Sequence, residues 1–262
     1  MKDYKFLKGV SGSSWAGLHH FRRFFTAHSF WQVIGNTLRI SSAAIIFGFP
    51  PPIIFALLLN EVKIDHFKKS VQTVTYIPHF ISTTVLVAML FAFCNQTTGI
   101  INIFLGKLGI NPQPFMQSEK WFVFMFVISG IWQSTGYNSI LYIATLSSVD
   151  PQLHEAAIID GANRFQRIIH INVPALLPTI VVMLIMRTGT IITVGFEKVY
   201  LMQNALNMNV SEVLSTYVYK IGLIDTRYDF STAVNLFTSI VNCSMLVIVN
   251  WISGKVSENS LW

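Results

Sequence analysis

Between two long apolar runs lies EAAIIDGANRFQRIIHINVP, Glu155 to Pro174, the only long polar-studded stretch in the second half of the chain expected to lie inside the cell. Its residue types suit contact with another surface rather than the making of bonds. Ala156 and Ala157 carry almost no side chain, so a partner can approach the backbone closely there. Asp150-Pro151 is a helix start: the carboxylate accepts orphan backbone N–H bonds, and proline is preset for the first helical position. Leu153, Ala156, Ala157 and Asp160 then recur at three and four residues, so they share one helical side. Gly161 can take φ > 0 and end or bend the helix. A second short turn, Ala162 to His170, carries Arg164 and Arg167, and Pro174 is expected to open the next apolar span. The stretch is either a rigid docking helix or an ordinary amphipathic loop helix between two spans.

A second group of residues stands inside the apolar runs. Gln133 and Tyr137 are four apart, as are Ser134 and Asn138, which makes one polar stripe. Arg187 is expected roughly halfway along its run, with Thr190 and Glu197 on the same side at helical spacing. Asn235, Thr238 and Asn242 share a face of the last run. Polar groups at bilayer depth seldom face lipid, because nothing there satisfies them. They either bond neighbouring helices or line a pathway, where Tyr and Trp can stack while Gln and Asn hydrogen-bond. The candidate pathway residues are Gln133, Tyr137, Asn138, Arg187, Thr190 and Asn235, with a structural pair or helix–helix bond as the alternative for each.

Other chemistries find no residues. No G-x-x-x-x-G-K-[ST] loop is present to hold ATP phosphates. The two cysteines, Cys94 and Cys243, fall at or inside apolar runs and set up neither a disulfide framework nor metal-ligand spacing. The runs hold no carboxylate well inside, unlike an ion-coupled secondary transporter.

The elements that position these residues follow from composition. The 262 residues are 52% hydrophobic and only 11% charged, with mean hydropathy +0.54, against about 25% charged in soluble domains. This is an all-α membrane protein. Five runs can each supply the ~20 apolar residues of a span: Ile34–Asn60, Tyr76–Phe93, Trp121–Leu146, Pro174–Val199 and Thr232–Ile252. Pro50-Pro51-Pro52 must kink or break the first. Glu61–Ser70 reads as a short charged loop inside the cell, and Ile100–Leu108 as a short re-entrant or interfacial helix in an external loop. The net charge of +6 points to cytoplasmic loops and anionic lipid rather than nucleic acid. The organisation expected is an external or interfacial segment 1–33, a transmembrane domain 34–252 with the polar loop 150–174 inside, and a cytoplasmic tail 253–262. Within the first segment His19–Ala27 forms an interfacial helix with Phe21, Phe24 and Phe25 on its apolar side. Five Lys/Arg there make an awkward load for a translocated N-terminus, so a further apolar span is expected before Met1.

The spacing EAA at Glu155–Ala157, three residues, Gly161, nine residues, then Ile171-x-Val173-Pro174 resembles the EAA loop of permease subunits from bacterial ABC importers. Val173 stands where leucine is usual, a change of about one methylene. The resemblance implies a type I ABC importer permease fold with its first helix absent from this chain. It implies that the loop is a coupling helix docking into a cleft on a separate ATPase, with Glu155, Ala156, Ala157, Asp160, Gly161 and Pro174 as its coupling residues. The partners implied are a second related permease, two ATPase subunits that hold the ATP and Mg²⁺, and an extracellular solute-binding lipoprotein. Gly195–Leu201 and Ser257–Trp262 resemble the maltose-type branch that imports polysaccharide breakdown products, which implies a sugar. An importer of a non-sugar solute shares the same loop, and an ion-coupled transporter is the more distant alternative.

Overall fold

Prolines, glycines and side-chain caps mark several of the helix ends in this chain. The structure, a computed structural model, describes residues 1–9 and 11–257. A short antiparallel ribbon comes first, β1 (Lys2–Asp3) against β2 (Ser14–Trp15). Buried Ser13 closes the turn: its hydroxyl donates to the Gly9 carbonyl at 2.6 Å and accepts from the Lys5 N–H at 3.1 Å. Next come α1 (His19–Phe25), α2 (Phe30–Gly48) and α3 (Pro50–Asn60). Three consecutive prolines at the head of α3 have no N–H to give, so the hydrogen-bond ladder breaks at Phe49 as the sequence requires.

The loop expected at Glu61–Ser70 is instead largely helical: α4 runs over Asp65–Tyr76. Ile64, Phe67, Val71 and Val74 recur at helical spacing, and Asp65 suits the positive end of the helix dipole. The helix tightens into a 3₁₀ turn at Ile77–Phe80, then bends sharply at Ile81–Ser82 before α5 (Thr83–Phe93). The span expected at Tyr76–Phe93 is therefore a broken one. The short helix foreseen at Ile100–Leu108 is α6 (Ile100–Lys107). Asn102, buried, pins it by donating to the carbonyls of Cys94, Asn95 and Gln113 and accepting from the Gln113 N–H at 2.8 Å.

α7 (Glu119–Ser147) matches the third run. α8 (Pro151–Ile159) and α9 (Arg164–Arg167) form the polar loop and lead into α10 (Val173–Thr188). α10 stops at Thr188, short of the expected Val199. Residues 189–195 form a turn and an extended link rich in β-branched residues, bounded by Gly189 and Gly195. Short helices follow, α11 (Phe196–Met202), α12 (Met208–Ser211) and α13 (Leu214–Tyr219). α14 (Tyr228–Ser257) closes the described chain. It carries the start of the expected tail as helix; Glu258–Trp262, most of the closing motif, lies outside the described residues.

Among the described residues three helical stretches are long and apolar enough to cross a membrane, Phe30–Asn60, Arg164–Thr188 and Tyr228–Lys255, with a fourth if the bent pair Asp65–Phe80 and Thr83–Phe93 is one span. α7, 29 residues long, has the length at about 1.5 Å per residue but is made less apolar by its polar middle.

The chain divides into two compact units. The first comprises Met1–Ser42, Thr83–Phe126 and Gly189–Met245. Its core gathers Phe24, Val33, Ile192, Leu214, Phe230 and Val234. Phe24 is not interfacial as its place in α1 suggested. It is 1% exposed and sits among the rings of Phe30, Phe230 and Phe237. The second unit comprises Ala43–Ser82, Val127–Thr188 and the chain from Leu246 on. Its core centres on Ala56, Tyr142, Leu146 and Leu176. Here α7 meets the end of α4 so closely that a Cβ on Gly136 would run into the Thr75 carbonyl. Gly136→Ala is therefore expected to lower stability by about 1–3 kcal/mol, the usual cost of overpacking. Gly106→Ala in α6, where an added Cβ meets nothing within 4 Å, is the control, and thermal unfolding in detergent compares the two.

Candidate functional site

The polar loop is built from both ends inward. Asp150 has extended backbone angles, and its Oδ1 accepts the Gln152 N–H at 2.9 Å, with Pro151 at the first helical position. At the other end Gly161 has φ +83°, the left-handed region that favours glycine. The Gly161 N–H bonds the Ile158 carbonyl at 3.0 Å and the Ala162 N–H bonds the Ala157 carbonyl at 2.8 Å. That pair of bonds is a Schellman closure, which satisfies carbonyls that the helix end leaves open. Two residues later a reciprocal capping box starts α9: Gln166 N–H to Asn163 Oδ1 at 2.9 Å, and Asn163 N–H to Gln166 Oε1 at 2.8 Å. The first cap and the glycine are legible in residue type alone; the box is an addition to these expectations, though it too has a sequence signature, Asn-x-x-Gln.

The result is a stiff pair of short helices presented outward. No residue of α8 is buried. Leu153, Ile158, Ile159 and Phe165 are all exposed, Ile159 at 85% and Phe165 at 69%. Glu155, Ala156 and Asp160 are exposed beside them, and Ala157 is half-buried. Ala157, Ala162, Gln166, Arg167, His170 and Ile171 line a hollow of about 220 Å³. Arg167 Nε is buried there with no hydrogen-bond partner. Clustered exposed apolar side chains of this kind mark an interaction surface.

Pro174 does not open the span. α9 passes into α10 through a π-helical stretch at Ile168–Asn172, and the Val173 N–H reaches back to the Ile168 carbonyl. The wider turn absorbs the bond that Pro174 cannot make. The span is Arg164–Thr188, so α9 and the membrane helix are one continuous rod, joined to α8 by the turn at Gly161. Asn172, 0% exposed, anchors its base by donating to Glu61 Oε1 at 3.5 Å.

The candidate pathway residues divide between the units. Gln133, Tyr137, Asn138 and Arg187 lie in the second, Thr190 and Asn235 in the first. Gln133 Nε2 donates to the Ile81 carbonyl at 2.9 Å, so it serves the bend in the broken span. Tyr137 stacks on His79, rings 3.7 Å apart and 3° from parallel, a contact the sequence did not reveal. Asn138 is half-buried and makes no side-chain hydrogen bond among the described residues. Arg187 is exposed in the last turn of α10, where a cation suits the negative end of the helix dipole, rather than at mid-span. Thr190 lies beyond that helix and Glu197 on α11, so they do not share a helical side with Arg187. Glu197 Oε1 instead accepts from Thr84 Oγ1 at 3.3 Å. Asn235, Thr238 and Asn242 do come together: with Thr193, Ser215 and their neighbours they line a cavity of about 300 Å³.

Comparison with known proteins agrees with this architecture. Residues 53–258 match the family of binding-protein-dependent transport system inner membrane components. Protein LplB of Bacillus subtilis (strain 168) is 42% identical over all of this chain and 82% of its own length. The polygalacturonan/rhamnogalacturonan transport system permease protein YteP of the same organism is 41% identical, over all of this chain and 81% of its own. Among solved structures, a chain of a bacterial alginate ABC transporter in complex with alginate pentasaccharide-bound periplasmic protein superposes at TM-score 0.91 and 37% identity, over 94% of this chain and 85% of that one. A chain of the MetNI methionine ABC transporter shares the fold at TM-score 0.58 and 14% identity, over 87% of this chain and 94% of that one. An all-helical membrane chain with a capped, outward loop at Glu155–Pro174, matched over most of its length, this protein belongs to the binding-protein-dependent transport system inner membrane component family and is a permease subunit of the bacterial cell membrane.

Proposed function

We propose that this chain is one of two related permeases of an ATP-driven importer, and that its cargo is an oligosaccharide from polysaccharide breakdown, handed over by an extracellular binding protein. The loop α8–α9 is the docking element for a separate ATPase subunit. The observation that carries the docking role is the rod running from α9 into α10, headed by a helix closed at both ends with its apolar residues outward. A force applied at α8 then reaches the membrane helix without being lost in a flexible joint. When ATP closes the ATPase dimer, the two coupling loops are drawn together, and the permease pair shifts toward its outward-facing state. Hydrolysis releases them. The sugar reading rests on the relatives: YteP is named for polygalacturonan and rhamnogalacturonan, and the alginate system for import of an acidic polysaccharide.

Two tests follow. Gly161→Asp or Ala157→Asp puts a charge and extra bulk on the close-approach face. Each variant is expected to insert normally, lose co-purification with the ATPase, and drop sugar uptake to background in vesicles carrying the full system. Wild-type uptake by either variant would refute the docking role, and uptake driven by an ion gradient without ATP would refute the importer. The second test separates structural from pathway residues. Gln133→Leu leaves the Ile81 carbonyl unpaired and should cost about 1–3 kcal/mol of stability with KM unchanged. Asn235→Ala should leave the unfolding temperature in place and raise KM about fivefold, the worth of about 1 kcal/mol.

A further inference from the structure

Away from the loop and the polar stripe, the first unit brings together three side chains from three separate elements. Asp3 stands on β1, His20 on α1 and Asp229 in the first turn of α14. One ligand atom from each lies within 4.8 Å of the others. Asp229 Oδ1 accepts the Phe230 N–H at 2.7 Å, which fixes the carboxylate, and Oδ2 faces His20 Nε2 at 3.6 Å. That separation is too long for a hydrogen bond. His20 is 3% exposed, and neither of its ring nitrogens has a hydrogen-bond partner. A buried imidazole in this state has given up water at both nitrogens and received nothing in exchange.

We propose that Asp3, His20 and Asp229 bind a divalent metal ion of the Zn²⁺ class, which fastens the N-terminal ribbon and α1 to the start of α14. The geometry suits it. Tetrahedral bonds of about 2.1 Å set ligand atoms about 3.4 Å apart, close to the 3.6 Å between His20 and Asp229. Asp3 is exposed, so its carboxylate is free to swing the remaining distance. One imidazole and two carboxylates favour a borderline ion over Ca²⁺, which takes oxygen ligands in larger number. The two carboxylates neutralise a dication, and water completes the fourth position. An adjoining cavity of about 450 Å³, lined by Lys2, Tyr4, Tyr228, Asp229 and others, supplies the entry path. The sequence hides the cluster because its three ligands are far apart in the chain and form no spaced motif.

The test uses the full chain purified in detergent, freed of any affinity tag, stripped with chelator and dialysed against Zn²⁺, Mn²⁺ or Ca²⁺. Wild-type protein is expected to retain one Zn²⁺ per chain, to bind Ca²⁺ more weakly, and to show an unfolding temperature that rises and saturates with Zn²⁺. Asp3→Asn changes an exposed residue, so the fold survives; it should weaken Zn²⁺ binding by about tenfold or more. Asp229→Asn should abolish it. If wild type retains no Zn²⁺, or if both variants retain as much as wild type, the site does not exist. If stability responds to pH and not to Zn²⁺, His20 and Asp229 are a plain ion pair and the metal assignment falls.

Discussion

Every backbone N–H and C=O that a helix leaves open within a bilayer must find a partner in the protein itself. Most features of this chain answer that demand. Its helices are repeatedly broken, and a polar side chain attends several of the breaks. Gln133 takes the Ile81 carbonyl where the span around Pro78 bends. Asn242 takes the Ile192 N–H and binds the Thr193 hydroxyl, just past the end of α10. Thr37 receives the Leu214 N–H at the head of α13, and Asn36 donates to the carbonyls of Asn209 and Glu212. Buried Asn102 serves four backbone groups around α6. A bond of this kind is worth about 1 kcal/mol net, but an orphaned buried group costs about 1–3 kcal/mol. The second figure explains why Asn, Gln and Thr sit inside runs that are otherwise apolar.

The same accounting explains the stiffness of the α8–α9 loop. A helix of nine residues is too short to be stable alone in water. This one is closed by the Asp150 carboxylate at its start and by the Gly161 turn at its end, and α9 is closed in turn by Asn163 and Gln166. The π-helical stretch at Ile168–Asn172 then lets the chain pass Pro174 without a hinge. Order comes from the backbone bonds of the loop itself, which leaves Leu153, Ile158, Ile159 and Phe165 free to face a partner.

How much was legible follows from the range over which each signal acts. Local chemistry read well. Asp150-Pro151, Gly161, the three prolines at Pro50–Pro52 and the short α6 all fell where residue type put them. Hydropathy located the long helices but not their ends, because an apolar run does not record where it bends. Thus the fourth apolar run continues to Val199 while its helix ends at Thr188, and Arg187, central in the run, lies in a last turn. The helix at Asp65–Tyr76 reads as a loop in sequence because its charges, Lys68 and Lys69, mask the spaced Ile64, Phe67, Val71 and Val74. Contacts between distant segments were not legible at all: Phe24 among its aromatic partners, His79 on Tyr137, Gly136 against Thr75.

Backbone satisfaction also sorts the polar residues that sequence could not separate into structural and pathway groups. A side chain committed to a backbone partner cannot bind cargo without leaving that partner orphaned. Gln133 and Asn242 are committed in this way, and Tyr137 has one face covered by His79. Asn138 and Asn235 make no side-chain hydrogen bond among the described residues. Asn235 moreover faces the cavity that it shares with Thr193 and Ser215. An exposed amide on a membrane helix is expensive where it faces lipid, so its place at a cavity wall is the arrangement with least cost. Ring hydroxyls of a sugar would meet in Asn235 a donor and an acceptor that no neighbour has already taken. On the α7 stripe, Gln133 and Tyr137 are tied to the bend at Ile81 and to His79, while Asn138 there and Asn235 on α14 are left with unused donors and acceptors.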